Sequence, residues 1–79
     1  MDEIIGMVKL FAGTYEVRGF MFCDGRKLPI RGNEALFSIL GTIYGGDGIT
    51  TFEIPDLKDK APEGMHYMIC VEGVYPPRY

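Results

Sequence analysis

The sequence predicts a small α+β domain with a small antiparallel β-sheet, extended turns and one short helix. Short runs of strand-forming residues alternate with turns that contain glycine or proline, and apolar residues at helical spacing occur over about residues 34–41. Hydrophobic residues make up 47% of the chain and aromatic residues 13%, which indicates a packed core. The 79 residues are interpreted as a single domain, whose thin core would gain stability from oligomerisation.

The first part of the chain is predicted to form two strands and a tight turn. Residues 4–11 and 19–23 are rich in strand formers. The second run stops at Asp24-Gly25, a pair that accepts positive φ. We therefore expect a hairpin turn there, with residues 26–28 as the return strand.

A single helix is predicted to follow. Asn33 is placed as its N-cap, and Glu34 lies favourably near the positive end of the helix dipole. The apolar residues at helical spacing are Leu36, Phe37, Ile39, Leu40 and Ile43. Gly41 fits a left-handed terminator. Because so short a helix is unstable alone, its apolar face is expected to pack on the sheet.

The second half of the chain is predicted to contain a turn cluster, a brief strand, a polar loop, a final strand and a proline-stiffened tail. In chain order these are residues 44–48, 49–54, 56–64, 65–72 and 73–79. Alternation in the final strand places Met65, Tyr67, Ile69 and Val71 on one side. The expected core residues are Phe20, Phe37, Leu40, Phe52 and Ile69, and Phe37→Ala is expected to cost ~3–5 kcal/mol.

Charge and hydropathy argue against several classes of partner. The net charge is −3 and the basic residues are scattered, so a nucleic-acid partner is not expected. The first apolar run is broken by Lys9 and is too short to span a bilayer. The start Met1-Asp2-Glu3 lacks the positive charge of a signal peptide, so synthesis in the bacterial cytoplasm without export by a leader is expected.

The acidic residues and the glycine cluster are better interpreted as structural than as catalytic or ligand-binding. A phosphate-binding loop needs Lys and then Ser or Thr after its last glycine, whereas this cluster holds Asp47. Asp24, Glu53 and Asp56 together with Asp47 lack the ligand spacing of a calcium loop. Turn-forming roles are expected for these aspartates.

The soft metal ligands do not form a convincing site, so no metal and no cofactor are expected. If the final strand is extended, His66 and Cys70 lie ~13 Å apart, too far to bind one zinc ion within one chain. A contribution of His66 to a site on an oligomer axis stays open. Cys23 lies in an apolar strand and is interpreted as a small buried side chain rather than a nucleophile. A disulfide with Cys70 is possible, but reduced thiols are favoured.

The order and spacing of the turn motifs resemble the phage tail collar domain family. The motifs are Phe22-Cys23-Asp24-Gly25, Leu36-Phe37-Ser38-Ile39-Leu40-Gly41, Tyr44-Gly45-Gly46-Asp47-Gly48, Thr50-Thr51-Phe52 and Ile54-Pro55-Asp56-Leu57. The resemblance covers about residues 4–62, with a separate match over residues 67–78. Phe20 replaces a tryptophan of the family, and Asp59 replaces a glycine. The glycine-rich head of longer relatives is missing, so their metal-binding histidines cannot be carried over.

The resemblance implies a non-enzymatic structural or attachment module of a phage tail fibre or tail-derived particle, of virion or prophage origin. It also implies a homo-oligomer, with a trimer as first expectation, or association with other tail proteins. Candidate binding residues are Tyr44, Asp47, Tyr75 and Tyr79. The alternative is a stand-alone bacterial module that recognises a carbohydrate or surface polymer through exposed tyrosines, Tyr15 included. A small enzyme ranks last, because no acid–base or nucleophile constellation is recognisable.

Overall fold

The computed structural model describes residues 3–77 and confirms the α+β class. Its elements in chain order are β1 (Val8–Phe11), β2 (Phe20–Phe22), β3 (Lys27–Pro29), α1 (Glu34–Leu40), β4 (Thr51–Glu53) and β5 (His66–Cys70). Two small antiparallel sheets and one short helix therefore make up the regular structure of the described residues.

The larger sheet has three strands in the order β1-β5-β2, so the last strand of the chain lies at its centre. Both neighbours are antiparallel to β5, with Val8 and Met21 each opposite Ile69. Of the four side chains predicted to share one face of this strand, Tyr67, Ile69 and Val71 pack on the core. Met65 precedes the strand and lines a cavity instead.

The hairpin predicted at Asp24-Gly25 is wrong. Gly25 does have a positive φ of 78°, but β2 and β3 belong to different sheets, and β3 pairs with β4. The backbone around the turn bonds to a distant segment, since the Gly25 N–H donates to the Pro55 carbonyl and the Leu57 N–H donates to Cys23. Asp24-Gly25 therefore does form a turn, as predicted, but the strand that follows it pairs with the distant β4 and not with β2.

The helix prediction is confirmed, and its caps differ in detail. The Asn33 side chain makes no cap bond to the helix, and its amide instead donates to the Pro29 carbonyl at 2.9 Å. Gly41 has the expected positive φ of 56°, but its ψ of −141° lies outside the left-handed helical region. The helix therefore ends by a glycine-specific turn of a different shape.

The first strand is shorter than predicted. Gly6 has a φ of 92°, and the Met7 N–H donates to the Ile4 carbonyl, so the chain turns before β1 begins. Residues 4 and 5 run instead beside the closing segment, where Ile4 forms a parallel bridge with Val74.

The core lies between the larger sheet, the helix and β4. Its buried members are Ile5, Cys23, Leu28, Leu36, Leu40, Phe52, Ile54 and Ile69. Phe37 packs against this cluster, with its ring 5.4 Å from that of Phe52. Phe20, however, was predicted as core and is not part of the cluster. It is half-buried on the opposite face of the sheet, where it lines a groove with Phe11 and Met68.

Candidate interaction surface

Asp47 organises the glycine-rich turn. One oxygen, Oδ1, accepts the backbone N–H groups of Ile49, Thr50 and Thr51 at 2.8, 2.8 and 2.9 Å. The other, Oδ2, accepts the Thr50 hydroxyl at 2.8 Å. These backbone and side-chain donors hold the pKa of the Asp47 carboxyl well below its usual range. The structure therefore places this candidate binding residue in a turn-forming role.

The same contacts explain why the turn is a poor phosphate site. A phosphate-binding loop presents several free backbone N–H groups to its ligand. In this turn three such groups, at residues 49–51, already donate to the protein's own carboxylate. Asp47 thus occupies the position that an anion would need.

Two glycines allow the turn to lie against the buried strand β4. A Cβ added to Gly46, whose φ is 94°, would lie 2.4 Å from the Phe52 Cα atom, and Gly45 accepts the Glu53 N–H. On the other side of the turn, the Gly48 N–H donates to the Thr51 carbonyl. The turn is consequently held to the core along its length.

Three exposed apolar side chains lie close together in the sequence, within and beside this turn. Ile43 is 78% exposed, Tyr44 46% and Ile49 82%, and we call these three residues the turn surface. Ile43 was predicted to continue the apolar stripe of the helix, and this is wrong because the helix ends at Leu40. In the sequence, Ile43 and Ile49 flank the glycine cluster, and this was the one feature that could have indicated an exposed apolar surface. A pattern of apolar residues alone, however, does not distinguish an exposed isoleucine from one in the core.

The other predicted binding residues lie elsewhere. Tyr75 is half-exposed, and its hydroxyl is 2.6 Å from the Ser38 hydroxyl on the helix, beside a groove lined by Ile39 and Pro76. No hydrogen bond or ring contact joins Tyr75 to the glycine-rich turn within residues 3–77. Tyr79 lies outside the described residues. Tyr75 thus contacts the chain's own helix.

Cys23 and His66 line the same cavity, of about 360 Å³, together with Asp24 and Lys58. Burial and, to a lesser extent, the nearby Asp24 charge raise the pKa of the Cys23 thiol to about 11. A nucleophilic cysteine needs the opposite shift. The cavity thus brings Cys23 and His66 together in a setting that disfavours the thiolate.

Asp24 takes part in a surface ion-pair cluster. Its carboxylate accepts two bonds from the Arg26 guanidinium, which also bonds Glu16 at 2.6 Å. The Arg26 hydrogen bond is the main reason that the pKa of Asp24 is lowered.

Both cysteines are free thiols, and no group of three or more His, Cys, Asp or Glu residues gathers in a metal-binding arrangement within the described part of the chain.

The remaining observations concern membranes and known proteins. None of the described residues belongs to a helix long and apolar enough to cross a membrane.

A comparison with curated proteins finds no match. Residues 6–62, which hold β1 to β4, the helix and the glycine-rich turn, match the family described as the phage tail collar domain. This match covers well over half of the sequence, and the chain therefore belongs to the phage tail collar domain family.

Proposed function

We propose that this chain is a non-enzymatic structural module of a phage tail fibre or tail-derived particle and that it acts in assembly. The family match carries the proposal, because tail collar domains are structural parts of tail fibres. The turn surface supports it: three apolar side chains that are close in sequence stand exposed within and beside a turn that is held against the core. Rigid exposed apolar groups lose little entropy on association and are typical of protein contacts.

The proposed partner of the turn surface is another protein of the tail. Apolar side chains such as isoleucine and tyrosine stabilise an interface when they are buried at its centre. Self-association is also expected, and the trimer implied by the family resemblance stays a prediction.

Incorporation into particles tests this proposal. A tail particle lacking the chain would be complemented with the unaltered chain, with Ile43→Ser/Ile49→Ser, or with Val74→Ser. Val74 is 48% exposed and lies outside the turn surface, so its variant is the matched control. We expect the double variant to fold but to be depleted from purified particles, while the control is incorporated. Equal incorporation of all three would overturn the assembly role of the turn surface.

Recognition of a surface carbohydrate is the second candidate function. It is supported by the exposure of Tyr15, Tyr44 and Tyr75, which are 66, 46 and 53% exposed. Their rings do not form one platform, since Tyr15 packs edge-on against Phe11 and Tyr75 contacts Ser38. Binding to purified bacterial surface polysaccharide that disappears in Tyr44→Ala would favour this function over assembly.

A further inference from the structure

Two aspartates of this chain are followed directly by glycine, at Asp24-Gly25 and Asp47-Gly48. Such a pair can rearrange without an enzyme, because the glycine nitrogen can attack the carbon of the preceding carboxyl group. Glycine has no Cβ, so its nitrogen is less hindered in this attack than that of any other residue. Asp56 and Asp59 are followed instead by leucine and lysine. The two Asp-Gly pairs are thus the aspartates of the described chain that are most prone to this reaction.

Neither reacting group of Asp47-Gly48 is free in the folded turn. The Asp47 carboxylate accepts the N–H groups of residues 49–51 through Oδ1 and the Thr50 hydroxyl through Oδ2. The Gly48 N–H is not among these donors and instead donates to the Thr51 carbonyl at 2.9 Å. Both partners of the reaction are therefore bonded to other groups.

The same bonds favour the form of the carboxyl group that does not react. Ring closure expels a carboxyl oxygen as water, which is easier from the protonated acid than from the carboxylate. The donors hold the pKa of Asp47 well below its usual range, so the group is ionised near neutral pH. The attacking nitrogen must also lose its proton, and the proton of Gly48 is bonded to the Thr51 carbonyl.

We infer that Asp47-Gly48 is a covalent modification site that is closed in the folded turn and reacts when the turn opens. The Gly48 nitrogen forms a bond to Asp47 Cγ, and the amide proton leaves together with the carboxyl OH as water, which produces a five-membered succinimide ring. Water then opens the ring. Cleavage between the nitrogen and the Asp47 main-chain carbonyl carbon yields isoaspartate, and cleavage at Cγ restores aspartate. No oxidant, metal or enzyme is needed, and the inference does not depend on the proposed role in a tail.

The modification is expected to remove the group that organises the turn. Isoaspartate carries the main chain through Cβ and Cγ, and its carboxylate is attached directly to Cα. A carboxylate in that position no longer matches the N–H groups of residues 49–51, which all donate to one side-chain oxygen of Asp47. The site thus links covalent ageing of the chain to the shape of the glycine-rich turn.

Asp24-Gly25 serves as an internal comparison because different groups bond it. The Gly25 N–H donates to the Pro55 carbonyl. The Asp24 carboxylate accepts the Arg26 guanidinium at 3.0 and 2.9 Å. The contacts that close the two sites can therefore be removed one at a time.

The first test compares the folded with the unfolded full chain. Peptide mapping by mass spectrometry measures succinimide and isoaspartate at each Asp-Gly pair, in buffer and in urea at the same pH and temperature. In urea both pairs are expected to convert at similar rates. In the folded chain Asp47-Gly48 is expected to convert more slowly by about tenfold or more, because only the open fraction of the turn reacts. Equal rates at Asp47-Gly48 in the folded and unfolded chain would overturn the inference.

A reciprocal pair of variants completes the test. Thr50→Val keeps the shape of the side chain and removes the hydroxyl that Oδ2 accepts. In the folded state it is expected to convert about threefold to tenfold faster at Asp47-Gly48, as the loss of one hydrogen bond predicts, and to leave Asp24-Gly25 unchanged. Arg26→Met keeps the apolar part of its side chain and is expected to show the opposite pattern.

Circular dichroism establishes first that each variant is folded. A folded Thr50→Val variant that accelerates both sites equally, or neither of them, would overturn the inference. If a variant does not fold, the comparison of the folded and unfolded states of the unaltered chain decides alone.

Discussion

Phe52 is the residue at which the helix, the smaller sheet and the glycine-rich turn meet. It is fully buried, its ring packs near Phe37, its backbone lies under Gly46, and it pairs with Leu28 across the sheet. Phe52→Ala is expected to destabilise the domain by about 3–5 kcal/mol, which approaches the whole stability of so small a fold. Phe37→Ala is expected to cost less, because Phe37 is only half-buried. Urea denaturation of both variants measures the two losses in unfolding free energy, and equal losses would contradict the expectation that Phe52→Ala costs more.

A comparison of Gly46 with Gly32 distinguishes two ways in which an added side chain lowers stability, which are backbone strain and steric overlap with neighbouring atoms. Both have positive φ, of 94° and 87°, but a Cβ at Gly46 would meet Phe52 whereas one at Gly32 would meet nothing within 4 Å. Gly32→Ala is expected to cost about 1–2 kcal/mol from backbone strain alone. Gly46→Ala is expected to cost more, because the turn must also move away from β4. Thermal melts compare the two, and a Gly46→Ala variant as stable as Gly32→Ala would show that the turn is not held against the strand.

At the scale of the element, the glycine-rich turn links stability to pH. Folding lowers the pKa of Asp47, so its ionised form stabilises the fold above the unfolded-state pKa of about 3.9. That stabilisation is lost as the pH falls below this value, and Asp24 and Asp56, whose pKa values are also lowered, act in the same direction.

Melting temperatures measured between about pH 6 and pH 3 are expected to fall with acidification. Asp47→Asn is expected to melt lower near neutral pH and to respond less to acid, since it has no charge to lose at this position. Tyr44→Phe, an uncharged change in the same turn, serves as the control. An unchanged pH response in Asp47→Asn would contradict the role given to this carboxylate.

The elements show which parts of the structure the sequence could predict. The helix from Glu34 to Leu40 was predictable because its apolar spacing and its glycine terminator are local. The pairing of β2 with β5 was not predictable, because β5 lies more than forty residues further along the chain. The nearby Asp24-Gly25 turn indicated a local hairpin, and no other feature of the local sequence indicated a distant partner. The role of Asp47 in a turn was predictable from composition, whereas the exposure of Ile43 and Ile49 depends on where the helix ends and how the turn meets β4.

Across the whole molecule, the last part of the described chain bonds to its first residues through the backbone of Val74. Val74 donates to the Glu3 carbonyl and accepts the Ile5 N–H, and Gly73 lies so close to Glu3 that no Cβ fits there. A chain ending at Glu72 is expected to melt roughly 5–15 °C lower, because it loses these two backbone bonds and the contacts around them. Tyr75→Phe, which keeps the backbone bonds, is the control and is expected to melt close to the unaltered chain. A shortened chain that melts at the same temperature would show that the closing segment contributes nothing.

We propose that this small domain presents the turn surface to another tail protein, and features from several parts of the fold support this role. The turn lies against Phe52, the closing segment pins the first residues, and the family is one of structural tail domains.

Quantitative mass spectrometry of purified tail particles, compared with the soluble fraction of the same lysate, tests whether the chain is a particle component. We expect the chain to be enriched in the particles, at a constant ratio to the other tail proteins across preparations. A chain found in the soluble fraction and absent from the particles would contradict it.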